Sequence, residues 1–352
     1  MERLYVKEMQ KCITLAKKGM GMTSPNPMVG CVILNSNGKV VSSGYHRACG
    51  LAHAERDALL KSGDFRGCTL VVNLEPCSHY GKTPPCADLI IEKGIKAVVY
   101  GMKDPNPKVA GKGLKKLKEA GIEIIGPVLE KECKKLNEVF FKNHTQQKTF
   151  VALKTATTID GKISTKSRDS KWITSEKSRN EVKKIRKYYD AILTSSSTII
   201  ADNPSMLHKN KIILDRELKT DLDFNIYKEG NIYVFYSEDK NNTLELKQST
   251  RPDIKYIKTP SVNNKLDINF VLQKIYQLGI MSVFVESGGS LNGSFLPHID
   301  KLYHFIAPKI LGDNSGKSCF DGLITDKISQ CTNLKFESSK IFGDDILVIY
   351  SK

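Results

Sequence analysis

The stretch Leu74-Glu-Pro-Cys-Ser-His-Tyr-Gly-Lys-Thr-Pro-Pro-Cys86 sets two cysteines directly after prolines, and about twenty residues earlier stands His53-Ala-Glu55. An imidazole and two thiolates are three ligands for a tetrahedral zinc. They leave the fourth position open, as a catalytic site requires. The metal would lower the pKa of a bound water towards ~7, which makes a nucleophile available at neutral pH. Glu55 follows His53 by two residues, so from one helical turn the two side chains project in different directions. That suits a carboxylate that carries protons beside the metal without ligating it. His79, between the cysteines, and His46 are rival nitrogen ligands. As part of the insertion, His79 is favoured for substrate contact.

A His-x-Glu followed by Pro-Cys-x-x-Cys is the signature of zinc nucleobase deaminases. Here eight residues separate the cysteines, Cys77 and Cys86, so the generic pattern is kept in its elements and changed in its spacing. The segment carrying Cys77 and Cys86 reads as the connection between a strand and the next helix. A cysteine at a helix N-terminus is biased towards thiolate, the form that binds metal.

The elements that must hold these residues alternate regularly. MVGCVILNSNGKVVSSGYH reads as a hairpin turning at Ser36-Asn37-Gly38. HAERDALLKSG reads as a short helix ending at a glycine, TLVVNLEP as a strand and CADLIIEKG as a helix. IKAVVYGM, GLKKLKEAG and IEIIG continue as strand, helix, strand, and EKECKKLNEVFFKNH as a helical stretch. Such repetition predicts an α/β layer structure with a partly parallel sheet. The polar run HTQQKT (144–149) marks a boundary. Beyond it FVALKTA, DAILTSS, MSVFVES and KLYHFIAPKI read as strands, SEKSRNEVKKIRKYY and KLDINFVLQKIYQLG as helices. Residues 216–265, polar around NIYVFY and IKYIK, read as decorated surface. VFVESGGSLNGSFL is a strand, a Gly-rich turn and a helix start that offers backbone N–H groups to phosphate. Taken alone, Asp160-Gly161 reads as a hairpin turn and Trp172 as core.

Composition narrows the classes. The 352 residues are 40% hydrophobic and 26% charged, an ordinary globular balance with room for two domains. No run approaches the ~18 apolar residues of a membrane helix. The first residues, MERLYVKEMQKCITLAKKGMG, lack an apolar signal core, so no export signal is expected. Nine cysteines at irregular spacing point to reduced thiols in the cytoplasm, most of them small buried hydrophobes. A net charge of +16 favours acidic partners, nucleic acid or small phosphorylated molecules. The lysines are spread along the chain and do not choose between them.

At SPNPMVGCVI, GYH, AHAERDAL, LEPCSHYGKTPPC and MKDPNPKVAGKG the sequence closely resembles the bifunctional riboflavin-biosynthesis deaminase–reductase family, RibD (RibG). The resemblance continues through KTATTIDGKIS, SKWITS, AILTSSSTIIADNPS and VESGGSLNGSFL, and so covers most of the chain. It implies an α/β protein with two domains. Residues 1–146 would form a cytidine-deaminase-like three-layer domain and 147–352 a dihydrofolate-reductase-like domain. It implies deamination of 2,5-diamino-6-ribosylamino-4(3H)-pyrimidinone 5′-phosphate, then NADPH-dependent reduction of the ribosyl group to the ribityl product.

By that resemblance Zn²⁺ is held by His53, Cys77 and Cys86, water activated by the metal adds to the pyrimidine C2, and Glu55 relays protons. Asn26, His46, His79, Lys82, Asp104 and Asn106 match the deaminase substrate pocket, with Lys82 placed to meet the 5′-phosphate. Asn26 and Asn106 also sit in Pro-Asn-Pro turns. In the second domain Lys154, Ser170, Arg186, Met206, Lys209 and Glu286 match substrate contacts. Ala156, Trp172, Thr198, Asp202 and the run Gly288, Gly289, Ser290, Leu291, Asn292, Gly293, Ser294 match NADPH contacts. The chain departs from the family at Met206-Leu-His-Lys-Asn210. There Lys209 stands where the family has an arginine, and a lysine lacks the planar bidentate fork.

The implied partners are small phosphorylated pyrimidines, without nucleic acid or membrane, for a cytoplasmic homo-oligomer. A nucleic-acid deaminase would carry a short Cys-x-x-Cys and strand-binding aromatics. A structural zinc module would fill all four ligand positions.

Overall fold

Short apolar runs bounded by glycine turns become strands, and the amphipathic runs between them become the helices that cover both faces. The computed structural model describes residues 2–80, 84–106, 109–238, 251 and 253–352. Two compact units divide the chain, Met1–Gln147 and Lys148–Lys352.

The first unit holds strands β1 (Gly30–Leu34), β2 (Val40–Tyr45), β3 (Thr69–Val72), β4 (Ala97–Tyr100) and β5 (Glu123–Ile125), in the order β2-β1-β3-β4-β5. The β2-β1-β3 pairings are antiparallel, and β3-β4-β5 are parallel. The β1–β2 turn falls at the expected residues: Gly38 has φ +73°, and the Asn35 side chain accepts from the N–H groups of Asn37 and Lys39. All five residues of β1 are buried because helices lie on both of its faces. Helix α1 (Val6–Ala16) covers one face and α2 (Ala54–Leu59) packs on β1 and β2. Helices α3 (Cys86–Glu92) and α4 (Lys112–Glu119) follow in line beside α2.

Two glycines set the spacing of these layers. A Cβ on Gly30 would lie 2.1 Å from the Cys12 carbonyl oxygen of α1, and one on Gly44 would lie 2.4 Å from that of Ala54 in α2. The expected helix at 130–144 is broken in two, α5 (Glu130–Leu136) and α6 (Glu138–Gln146). At the break, Asn137 turns its amide onto Met28, accepting its N–H at 2.8 Å and donating to its carbonyl at 3.0 Å. Helix α2 stops at Leu59, short of the glycine at 63.

The second unit is built on one large sheet. Its strands are β6 (Phe150–Thr157), β8 (Ala191–Ser195), β9 (Asn210–Leu214), β10 (Asn231–Ser237), β11 (Lys255–Thr259), β14 (Ser282–Glu286), β15 (Lys301–Ile306), β17 (Lys335–Phe342) and β18 (Asp345–Ser351). Their order is β11-β10-β9-β8-β14-β6-β15-β18-β17. From β11 to β15 every pairing is parallel, and β15-β18-β17 closes the edge antiparallel. The short strands β7 (Lys162–Ser164) and β16 (Lys317–Ser318) pair with each other, as do β12 (Ser261–Val262) and β13 (Lys265–Leu266).

Alternate residues feed two separate cores. Ala191, Leu193, Ile212, Tyr233 and Phe235 pack with α9 (Ile268–Gln277), whereas Ile192, Ile213, Ile232 and Val234 pack with α8 (Ser196–Asp202) on the other face. The reading of 216–265 as decorated surface is corrected here. Strand β10 lies inside the sheet with six of its seven residues buried, because a parallel strand covered on both faces needs an unbroken apolar run such as IYVFY. Residues 239–250 and 252 of that segment lie outside the described residues. Among the described residues no helix is long and apolar enough to cross a membrane.

Gly44 generates a test. A methyl group placed on it would meet the backbone of α2, 2.4 Å from the Ala54 oxygen and 2.6 Å from the Ala58 nitrogen. Gly44→Ala should push α2 off the sheet and destabilise the first unit by roughly 1–3 kcal/mol, the usual cost of overpacking. A urea midpoint equal to that of the parent protein would show that the helix can shift without cost.

Candidate active sites

Helix α2 opens at His53, its N-cap, so His53 and Glu55 sit on the first turn over the sheet. Helix α3 opens at Cys86 immediately after Pro85, and its first N–H donates to the Cys77 sulfur at 3.3 Å. The Nδ1 of His53 faces both sulfurs, 3.6 Å from Cys77 Sγ and 3.5 Å from Cys86 Sγ. The three ligand atoms lie within 4.8 Å of one another. A tetrahedral zinc, at its usual bond lengths to nitrogen and sulfur, separates those atoms by about 3.6 Å, so the donor set fits that ion. Hydrogen bonds from the Cys86 thiol and from His53 pull the Cys77 thiol well down despite its burial. All nine cysteines are free thiols, and Cys12, Cys31, Cys68 and Cys133 are buried apolar packing.

Glu55 is buried against this cluster. Burial, with the charge of Cys77 acting in the same direction and His53 opposing, pushes its carboxyl up to about 7. A carboxyl of that strength can both take and return a proton near neutral pH.

The rival histidines separate by their partners. His46 is 1% exposed, with Nδ1 3.0 Å from the Ala52 carbonyl and Nε2 3.3 Å from the Asn26 amide nitrogen. A carbonyl only accepts, so Nδ1 carries the proton and Nε2 takes the Asn26 N–H. Both ring nitrogens are committed, and His46 stacks edge-on to His53 at 5.4 Å as a spacer. His79 is exposed, and Lys82 lies outside the described residues. Asp104 and Asn106 share a turn in which the Asn106 N–H donates to Asp104 Oδ1 at 2.8 Å, and burial pushes the Asp104 carboxyl up. Sequence reasoning passed over three polar side chains that hold these loops: Asn73, Asn137 and Glu75. Asn73 accepts from Gly30 N–H at 2.7 Å and donates to Met28 at 3.0 Å. Glu75 collects backbone N–H groups from the 104–114 segment. For Asn73 and Glu75 the available signal was a polar residue embedded in an apolar strand end, VVNLEP.

In the second unit the carboxyl ends of three adjacent parallel strands, β8, β14 and β6, converge, the place where open α/β sheets take ligands. Glu286 ends β14 in register with Lys154 of β6. Arg186, the last residue of α7 (Glu176–Arg186), grips Glu286 with both arms, Nε to Oε1 at 2.5 Å and Nη2 to Oε2 at 3.0 Å, while Lys154 Nζ lies 3.7 Å from Oε2. Ala156 shares the Lys154 face of β6, two residues on. At the end of β8, Ser195 caps α8 by accepting from Thr198 N–H, and exposed Asp202 ends that helix.

The Gly-rich turn divides its labour. Gly288 has no atom within 4 Å of where a Cβ would sit. Gly289 and Gly293, in α10 (Gly289–Phe295), instead face backbone, with added Cβ atoms 2.2 Å from the Ser318 oxygen and 2.0 Å from the Asp321 oxygen. Asn292 is buried, donating to the Cys319 carbonyl at 2.8 Å and accepting from Ser287 at 2.7 Å, and Leu291 packs on the core. Ser290 is exposed, and Ser294 hydrogen-bonds back to the Ser290 carbonyl at 3.1 Å.

Trp172 is not core. It is 61% exposed, held by the Arg179 guanidinium 4.3 Å above its ring and by Lys309 Nζ on its carbonyl at 2.6 Å. With Ser170, Lys162 and Lys309 it lines a pocket that does not include the Glu286 cluster. Met206 buries its side chain, which is 6% exposed and packs in the α8-side core, and leaves its main chain for any contact. Lys209 is exposed, and between them His208 donates from Nε2 to the Tyr189 carbonyl at 3.0 Å and accepts the Asn210 N–H at Nδ1 at 3.1 Å.

The Glu286 cluster fixes a pH response. Burial alone would raise its carboxyl, but the charges of Arg186 and Lys154 outweigh that and hold it below the ordinary glutamate value. A carboxyl held low contributes stability that is complete above the unfolded pKa and is lost as pH falls through the folded one. The urea midpoint of the second unit should therefore fall between about pH 5 and pH 3. Glu286→Gln should remove that part of the fall and cost on the order of 3 kcal/mol at neutral pH, where two cations are left without their counter-charge. An acid limb unchanged in the variant would show that Glu286 titrates normally.

Both units have counterparts among known proteins. Residues 149–348 match the RibD C-terminal domain, and residues 4–102 match the cytidine and deoxycytidylate deaminase zinc-binding region. The riboflavin biosynthesis protein RibD of Actinobacillus pleuropneumoniae is 39% identical over 97% of this chain and 94% of its own. That of Aquifex aeolicus is 37% identical over 98% and 97%. A crystal structure from Thermotoga maritima described as a diaminohydroxyphosphoribosylaminopyrimidine deaminase/5-amino-6-(5-phosphoribosylamino)uracil reductase superposes with a TM-score of 0.87 at 37% identity, covering 99% of each chain. Acinetobacter baumannii RibD also gives 0.87, at 31% identity, over 100% of this chain and 99% of that one. With two full-length matches in sequence, two in structure, and a zinc-type donor set beside a buried glutamate, the chain belongs to the RibD family of riboflavin-biosynthesis deaminase–reductases.

Proposed function

We propose that the first unit removes an amino group from 2,5-diamino-6-ribosylamino-4(3H)-pyrimidinone 5′-phosphate and that the second reduces the ribosyl group of the product with NADPH. The observation that carries the first half is one histidine nitrogen facing two cysteine sulfurs at zinc distances, with Glu55 buried alongside. His53, Cys77 and Cys86 would hold the Zn²⁺, which when bound makes water nucleophilic at neutral pH. Glu55 takes the proton of that water and hands protons to the departing amine, so that a C–NH2 becomes a carbonyl and ammonia leaves. Asn26, Asp104, Asn106, His79 and Lys82 orient the ring and its phosphate, and His46 keeps Asn26 and His53 in register.

For the second half, support comes from the charged cluster at the carboxyl edge of β6 and β14. NADPH supplies the hydride and the protein supplies position. Three features support such a cofactor: Gly288 leaves open space at its turn, Trp172 presents an exposed indole, and Thr198 and Asp202 of α8 and Ala156 of β6 belong to the elements at that edge of the sheet. Lys154, Arg186 and Glu286, with Ser170 and Lys209, hold the opened ribosyl chain so that C1′ receives the hydride. The second residue set includes the main chain at 206 and the turn residues 288–294, of which Leu291 and Asn292 turn their side chains inward while Gly288 and Ser290 are left towards the cofactor. The enzyme works in the cytoplasm as a homo-oligomer on small phosphorylated pyrimidines, and needs no nucleic acid.

Purified protein should contain about one zinc per chain, as a single catalytic site requires. It should release ammonia from the ribotide without NADPH and consume NADPH only after deamination. Glu55→Gln should keep the zinc and lose ammonia release by about 10²–10⁴-fold, the usual share of a general acid–base group. It should still oxidise NADPH when given the deaminated compound. Stripping the metal with a chelator should abolish the first signal and spare the second. Ammonia without NADPH oxidation would locate a fault at 206–210. No ammonia from zinc-loaded protein would reject the reading.

A further inference from the structure

Glu75 takes no part in the chemistry above, yet it is a carboxyl group only 3% exposed, two residues ahead of Cys77. Its Oε2 accepts the N–H of Asp104 at 3.2 Å and of Gly111 at 2.9 Å. Its Oε1 accepts those of Gly113 at 3.0 Å and Leu114 at 3.4 Å. Gly111, Gly113 and Leu114 belong to the start of α4, where Gly111 is an N-cap residue with no side chain to offer. These are the amides a helix leaves without internal partners, at the positive end of its dipole. The same helix start presses on the peptide before Cys77: a Cβ on Gly113 would lie 1.9 Å from the Pro76 carbonyl oxygen. One carboxylate thus ties together the strand end that carries Cys77, the turn that carries Asp104 and Asn106, and the first turn of α4.

We infer that Glu75 is the positioning residue of the deaminase site, setting the distance between the metal ligand Cys77 and the substrate-facing turn at 104–106. The inference rests on the deaminase reading above. Helix capping alone would give Glu75 a role in stability and none in substrate affinity. A positioning role ties its charge to both zinc and substrate.

Glu75→Gln keeps the shape but replaces one acceptor oxygen with an NH2 group that meets backbone N–H donors. Three measurements on the full-length, zinc-loaded protein decide the matter: amide hydrogen exchange across 104–114, zinc affinity by competition with a chromophoric chelator, and kinetics of ammonia release. The expected result is exchange at 111, 113 and 114 faster by about tenfold or more, and zinc bound about tenfold more weakly. The KM for the ribotide should rise about 10–100-fold at one zinc per chain, the range seen when groups that orient metal ligands are changed. NADPH oxidation of the supplied deaminated compound should stay at the parent rate. Glu75→Asp, which keeps the charge on a shorter arm, should fall between the two and serves if the Gln variant does not fold. Parent-like exchange and zinc affinity would overturn the inference. So would an unchanged KM with turnover reduced only in proportion to the zinc-loaded fraction. If the parent protein itself released no ammonia, the deaminase reading would fail on its own, and the exchange and chelator arms would still judge the hold of Glu75 on Cys77.

Discussion

Two helix starts laid side by side on one sheet govern the first unit. His53 and Glu55 open α2, Cys86 opens α3, and the two helices pack against each other. Each side chain is short, so their mutual distances are those of the helix backbones and leave little for rotamers to correct. The approach depends on Gly44 beneath α2, where any side chain would strike helix backbone. The same arrangement supplies electrostatics. The Cys86 N–H at the start of α3 donates to the Cys77 sulfur and favours thiolate, while the low-dielectric floor that the sheet provides drives the Glu55 carboxyl the other way. One packing constraint therefore produces both a metal-ready sulfur and a proton-carrying acid.

The second unit solves a different problem with the same means. Its strands are parallel, so their carboxyl ends gather on one side, and three of them bring Lys154, Glu286 and the end of α7 into contact. Arg186, Lys154 and Glu286 gather two cations and one anion two residues before the open turn at Gly288. The fork of Arg186 holds Glu286 through both oxygens, and Lys154, held less tightly at 3.7 Å, is the group freer to turn to a ligand.

What could be read beforehand followed from how local each signal was. The zinc set was legible because its members sit in two short motifs whose spacing suits a strand–loop–helix connection. The strands were legible from their apolar runs. Glu75, Asn73 and Asn137 were not, because they act on backbone amides far along the chain, and a sequence carries no mark of which amide lacks a partner. Taken alone Trp172 reads as core because aromatic residues are usually buried, and its support by Arg179 seven residues on is a tertiary fact. Strand β10 was misjudged because the polar residues around it concealed a fully covered run. Met206 was assigned by its place in a motif, whereas its neighbours decide where its side chain goes.

The turn after β14 bears on how genetic variation in this family is interpreted. Gly289 and Gly293 admit no side chain because the 318–321 backbone lies across them. Substitutions along such a turn would meet two different limits, open space at Gly288 and a crossing chain one and five residues later. A catalogue of inherited variants that treated the whole run as a nucleotide fingerprint would therefore score losses of folding as losses of recognition.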